Sequence, residues 1–183
     1  MATEQLVFGT TMEGLFLKGL KGKISAQLTR ELRERGLDLE RPLLPAYPRQ
    51  VVNEVIHHTA VSLFPEVPID EAFYRVGKHV TPGQAATLLG SAALRLVSLV
   101  GPRRTLERLS RTFASTNNYM TVSLRKLADT SWELELHPSN AYPRYMQAVL
   151  EDMLTLAGAK DLTVRVAQHD TQRERCVYAI TWR

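Results

Sequence analysis

Residues 119–137, YMTVSLRKLADTSWELELH, decide how this chain is read. Met120, Val122 and Leu124 alternate with Thr121, Ser123 and Arg125. After the polar turn Asp129-Thr130-Ser131 the alternation resumes, with Trp132, Leu134 and Leu136 on one side and Glu133 and Glu135 on the other. A period of two predicts half-buried strands. Two of them joined by a short polar turn predict an antiparallel hairpin with one wet face.

Toward the C-terminus, Pro138-Ser139-Asn140 breaks the alternation, and from Pro143 the period becomes helical. Tyr145, Val149, Met153 and Leu156 share a stripe that Leu150 and Leu154 widen. Pro143 suits the first helical turn, and Gly158 the position just past the end. Leu162, Val164 and Val166 then predict a third strand, Asp170–Glu174 a turn, and Cys176, Tyr178, Ile180 and Trp182 a fourth strand. A hairpin alone is only marginally stable, so the expectation is one four-stranded antiparallel sheet whose apolar face is covered by the helix Pro143–Ala157.

Toward the N-terminus the pattern is helical. Leu6–Phe8 is a short extended piece. Met12, Leu15, Phe16 and Leu20 have helical spacing, although four glycines between Gly9 and Gly22 weaken that helix. Ser25 is placed to cap a helix carrying Leu28 and Leu32 that ends at Gly36. Asp38–Pro48 holds three prolines and reads as a loop, and Arg49–Phe64 as a helix ended by Pro65. Asp70 is placed to cap the next helix, through Val80. Thr81-Pro82 is placed to start another helix, whose densest part, Ala85–Val100, is apolar nearly all round apart from Arg95, which predicts a central helix. Gly101-Pro102 breaks it, and Pro102–Ala114 forms the last helix before the sheet. The fold class is therefore α+β: an N-terminal helical part followed by a ββαββ unit. The whole is expected to be a single domain, 1–183, with a helical subdomain at 1–114 and the ββαββ subdomain at 119–183.

The chain has 183 residues and 44% hydrophobic content, as a globular protein does. No segment has the roughly 18 apolar residues of a membrane span. The N-terminus shows no charged region followed by an apolar core, so a cytoplasmic location is expected. The single cysteine, Cys176, sits in a strand pattern and reads as a small buried hydrophobe. The net charge of +4 is a modest excess, which permits an acidic partner but is better explained by a solvated surface.

Catalytic patterns are missing from the sequence. The five histidines have no metal-ligand spacing, and the adjacent His57 and His58 point in different directions on a helix. There is no nucleophile elbow and no phosphate loop. Glu133 and Glu135 could pair for acid–base work, but alternation on a wet sheet face accounts for them. Arg103, Arg104, Arg108 and Arg111 form a basic cluster near a helix start. Arg104, Arg108 and Arg111 follow i, i+4, i+7 spacing, which suits either a solvated face or an anionic ligand. No aromatics are interleaved to stack bases, so nucleic acid is disfavoured.

Four stretches, Thr11-Met-Glu-Gly-Leu-Phe, Ala72-Phe-Tyr-Arg-Val-Gly, Val100-Gly-Pro-Arg-Arg and Tyr178-Ala-Ile-Thr-Trp-Arg, resemble a domain family of unknown function expanded among myxobacterial proteins. More distantly, helices followed by ββαββ resemble the haem-nitric-oxide-binding domains and their four-vinyl-reductase and TRAPP-like relatives. Those domains bind haem or small apolar ligands, or serve as assembly surfaces. The haem binders carry an axial histidine in the helix before the sheet, and Pro102–Ala114 has none. They also carry Tyr-x-Ser-x-Arg after the second strand. Here the segment is His137-Pro138-Ser139-Asn140-Ala141, in which only Ser139 matches.

The resemblance therefore implies the fold without haem, and no cofactor and no metal are expected. The expected role is non-enzymatic: a sensory or regulatory module that holds a small apolar or anionic ligand, or a partner protein, between helices and sheet. The alternative is a self-associating interaction scaffold, a homodimer for example. The polar contacts expected for a ligand are Tyr74, His79, Arg103, Arg104, Arg111 and Tyr119.

Overall fold

The computed structural model describes residues 3–139 and 142–183. Strand β1 (Leu6–Phe8) leads into a short helix α1 (Gly9–Met12), which continues as a π-helical segment, Glu13–Gly19. Helix α2 (Ala26–Glu34) starts where expected: the Ser25 hydroxyl accepts from the Leu28 N–H at 3.1 Å, and Leu28 and Leu32 point inward. Strand β2 (Ala46–Pro48) pairs antiparallel with β1, Val7 opposite Tyr47. This corrects the reading of 38–48 as loop throughout. Its proline stands at the end of the strand, where no ladder N–H is needed.

Helices α3 (Arg49–Leu63), α4 (Ile69–Gly77) and α5 (Val80–Ala85) follow. Asp70 lies inside the first turn of α4, and its side chain caps nothing, because the helix begins one residue before it. Helix α6 (Leu88–Glu107) is kinked at Gly101, whose φ of 81° and ψ of 166° suit glycine alone, and α7 (Leu109–Ala114) follows after Arg108.

Strands β3 (Thr121–Ala128) and β4 (Ser131–His137), helix α8 (Pro143–Leu156), and strands β5 (Thr163–Asp170) and β6 (Arg175–Thr181) complete the chain. They form one antiparallel sheet in the order β3-β4-β6-β5. Leu134 faces Leu124 on one neighbour and Tyr178 on the other. Trp132, Leu134, Leu136, Cys176, Tyr178 and Ile180 are buried on the side that α8 covers. The fold is thus α+β with the expected four-stranded sheet.

Two cores meet on α8. One is helical, from Val7 through Val76, and includes Tyr145; the other joins the sheet to α7 and includes Met146. Tyr119 and Val149 pack against both. Helix α4 lies close along α8 because residue 77 is glycine: a Cβ there would stand 2.4 Å from the Tyr145 carbonyl oxygen.

Helix α6 departs most from the sequence reading. It was expected to be central. Among its residues only Thr105 and Leu106 are buried, and Leu88, Leu89, Leu96 and Leu99 are open to solvent. Apolarity on every side sets how much of a helix could be buried; the packing partners decide how much is. Here α6 touches the body along one narrow stripe through Leu94 and Val97.

Candidate ligand-binding cavity

The junction of the two cores leaves a cavity of about 150 Å³. Val7, Val52 and Ile56 close it from β1 and α3, Leu94 and Phe113 from α6 and α7, and Met146, Val149 and Met153 from α8. Its polar fringe is Thr11, Asn53, Thr81, Gln84, Thr112, Thr116 and Asn117. Most of these groups have partners within the protein. The Gln84 amide donates to the Thr10 carbonyl at 3.3 Å, the Thr116 hydroxyl to the Phe113 carbonyl at 2.8 Å, and the Asn117 carbonyl oxygen accepts from the N–H groups of Tyr119 and Met120.

Two phenols complete the lining, Tyr119 and Tyr145. Burial pushes the pKa of both upward. Tyr119 adds to the effect at Tyr145, whereas the Arg49 charge opposes it at Tyr119. Both phenols stay neutral at physiological pH, which makes them hydrogen-bond donors in a chamber whose other polar groups are mostly engaged within the protein. Helix α8 supplies Tyr145, Met146, Val149 and Met153 because i, i+1, i+4 and i+8 spacing sets them on adjoining sides of one helix.

Tyr119 is the one sequence-predicted site residue that reaches this cavity. The Arg49 guanidinium lies 5.2 Å from its ring centroid. Arg49 also donates to the Gln5 side chain at 2.8 Å and to the Ser139 carbonyl at 2.7 Å, and pairs with Glu174 at 3.0 Å. Ser139, the residue retained from the Tyr-x-Ser-x-Arg pattern, is buried. His137, in the pattern's Tyr position, ends β4, and Ala141, in its Arg position, lies outside the described residues.

The other five residues stand elsewhere. Tyr74 bridges α4 and α8 through Glu151. His79 sits between α4 and α5; burial, and then the Lys23 charge, push its pKa down against a hydrogen bond with the Gly19 backbone. Arg103 is exposed and paired with Glu107 at 2.9 Å, and Arg104 and Arg111 are exposed. Arg108 keeps right-handed helical φ and ψ between α6 and α7, and Arg104, Arg108 and Arg111 all stay exposed, outside the cavity lining.

Glu133 and Glu135 are engaged by Arg125 and Arg175 on the open face of the sheet. The Arg175 hydrogen bond, at 2.6 Å, holds the Glu135 carboxyl below its usual range. The Cys176 thiol is buried and its pKa is raised by that burial. Tyr145, Val149 and Met153 read from sequence only as a helical core stripe, and Met146 carried no signal there. A stripe of that kind does not show where packing is left incomplete.

Among solved structures the chain is similar to several H-NOX domains. Against the Fe(II) unliganded H-NOX protein of K. algicida the TM-score is 0.66, at 12% identity, covering 95% of each chain. Against an oxygen-binding H-NOX domain related to soluble guanylate cyclases, in its oxygen complex, it is 0.68 at 14% identity, over 96% of this chain and 92% of that one. Against a structure solved to modulate heme redox potential through porphyrin distortion it is 0.65 at 13% identity, over 96% and 92%. Likeness at this identity shows a shared fold.

These neighbours overturn the expectation that the chain takes no cofactor. The structures sharing its fold are described with Fe(II), oxygen and heme, so haem is a group this architecture accommodates. The cavity, as it stands, fits such a group poorly. Its 150 Å³ is below the roughly 300–1,000 Å³ typical of cofactor pockets. Its lining offers phenols and thioethers but neither imidazole nor thiolate. Among the described residues no three His, Cys, Asp or Glu side chains gather as a metal site would. No curated protein matches the chain in sequence. The family model described as "Protein of unknown function (DUF2378)" matches residues 5–183, and the chain belongs to that family.

Proposed function

We propose that this chain is a sensory module that takes a small, mostly apolar molecule bearing one hydrogen-bond acceptor into the cavity at the junction of helices and sheet. The observation that carries this reading is a pair of neutral phenols, buried Tyr145 and half-buried Tyr119, in a chamber whose aliphatic and thioether walls carry a polar fringe mostly engaged within the protein. A chamber of this size takes a benzene-sized guest, and a phenol pair adds selectivity for an acceptor atom. The oxygen-binding H-NOX domain of the same fold supports the reading by analogy. Occupation would be sensed through α8, which lines the chamber and covers the sheet at once.

The test is thermal denaturation and isotope-edited NMR with a fixed panel: xenon, benzene, pyridine and haem. A ligand that binds only the folded state raises Tm with concentration. The expected result is a Tm rise for the small guests, with shifts confined to residues lining the chamber. Haem belongs in the panel because the fold takes it elsewhere, and its uptake would show in its absorption spectrum. No Tm change and no local shifts with any member would reject the reading.

A further inference from the structure

Nine large hydrophobic residues are exposed among the described residues, and four of them, Leu88, Leu89, Leu96 and Leu99, lie on α6 at 93, 74, 59 and 80% exposure. Leu88, Ala92, Arg95, Leu96 and Leu99 follow i, i+4, i+7, i+8 and i+11 spacing and form one outward stripe, with Leu89 beside it. The opposite side carries Leu94 and Val97, which face the cavity and the sheet core.

The charge around this helix is one-sided. Residues 88–114, which make up α6 and α7, contain five arginines and a single acid, Glu107. Glu107 is already held by Arg103, while Arg95, Arg104, Arg108 and Arg111 are exposed.

We propose that the outer face of α6, with the arginines that follow its kink, is a docking surface for an anionic lipid bilayer. A helix lying in the interface plane sinks its leucines to the acyl boundary and leaves cationic side chains among the phosphates. The helix lies on the membrane rather than through it: no single helix among the described residues is long and apolar enough to cross, and the pair Ile69–Ala85 with Leu88–Glu107 is bent by 99°.

Charge selects this occupant over a second copy. A two-fold contact on the same face would set Arg95 and its neighbours against their own images, with no carboxylate between residues 72 and 106 to separate them. Nucleic acid would supply the phosphates but would leave the leucine stripe uncovered.

The test is co-sedimentation of the full chain with phosphatidylcholine vesicles, with and without phosphatidylglycerol. The expected result is partitioning onto the anionic vesicles that weakens as salt rises. Replacing Arg104, Arg108 and Arg111 together by Ser is expected to weaken it roughly a hundredfold. Leu96→Glu with Leu99→Glu is expected to abolish it and leave the melting curve in place, because both side chains are exposed. Absent or salt-indifferent partitioning, equal binding to neutral vesicles, or full binding by the leucine double variant would overturn the proposal. So would a dimer detected by light scattering without vesicles that the leucine double variant dissociates; that outcome would give the face to a second copy.

Discussion

The Tyr74 hydroxyl on α4 donates to the Glu151 carboxylate on α8 at 2.5 Å, and the Arg144 guanidinium lies 4.6 Å from the centroid of the same tyrosine ring. Glu151 also accepts from Gln147 at 2.9 Å, and Gln147 accepts from Arg144 at 2.7 Å. This network fastens the helical part to the one helix that covers the sheet. It is made close by Gly77, which lets the two backbones approach. Nearby, Phe73 stacks on Tyr142 with centroids 3.8 Å apart.

Tyr74→Phe keeps the ring and its cation contact and removes only the hydroxyl. A half-buried hydrogen bond to a carboxylate contributes about 1–2 kcal/mol. A chain of this length should then lose roughly 2–8 °C in Tm. Thermal melts of wild type and variant at neutral pH check this. An unchanged Tm would mean that the contact contributes nothing to holding α4 on α8.

The same bond has a pH signature. The Glu151 hydrogen bond, burial and the Glu151 charge together push the Tyr74 phenol from 10.0 up to about 12. The neutral phenol is the donor, so its contribution is complete below pH 10 and is lost as pH rises through about 12. The stability gap between wild type and Tyr74→Phe should therefore hold steady up to about pH 10 and close above it. Denaturant titrations of both proteins across that window provide the measurement. A gap that grew with pH would contradict the assignment.

Much of the fold was readable because the ββαββ unit buries one side of each central element. Strand β4 alternates between buried and half-buried from Ser131 to Leu136, and the turn at Asp129-Thr130 fixes its register with β3. Proline at the start of α8 and Gly158 beyond its end mark its limits. Helix α6 was misread for the converse reason: periodicity reports which side is apolar only when some side is polar, and residues 88–100 offer almost no contrast. The site was half legible. Tyr119 was named only among the expected polar contacts, with no spacing argument behind it, whereas Tyr145 was absorbed into a stripe that does form core. The arginines of α6 and α7 are exposed and lie outside the cavity lining.

Two leucine truncations separate the observed packing of α6 from the expected one. Leu134 is fully buried at the centre of the sheet, so Leu134→Ala should cost about 2–5 kcal/mol through lost burial and the void left behind. Leu96→Ala, on the exposed side of α6, should change stability by less than about 0.5 kcal/mol. Urea denaturation of the two variants distinguishes them, and comparable losses would mean that α6 is central after all.

Gly101 sets the kink in α6. A Cβ at this position would meet nothing within 4 Å, so Gly101→Ala tests backbone conformation without a clash. Its φ of 81° and ψ of 166° lie in a region that is strained for every other residue, at a cost of about 1–3 kcal/mol. The variant should melt lower and become more sensitive to proteolysis around residues 95–108. An unchanged melt would show that the two halves of α6 can straighten at no cost.

Tyr145→Phe tests whether the cavity chooses its guest by an acceptor atom. Benzene and pyridine have nearly the same shape and differ by one ring nitrogen, which is unprotonated at neutral pH. In the wild type the buried phenol can donate to pyridine and has nothing equivalent to offer benzene. Removing the hydroxyl leaves the apolar walls of Met146, Val149 and Met153 intact. Pyridine affinity should therefore fall by about fivefold, the equivalent of one neutral hydrogen bond, while benzene affinity stays within about twofold. The ratio of the two losses is the informative quantity, because a general disturbance of the chamber would weaken both guests alike. Val149→Phe supplies the opposite control: its added ring fills the space, so both guests should be lost together, at a stability cost of about 1–3 kcal/mol from overpacking. Dissociation constants from NMR titration provide the readout. Equal losses of pyridine and benzene in Tyr145→Phe would remove the phenol from the recognition and leave only the shape of the chamber to select what enters.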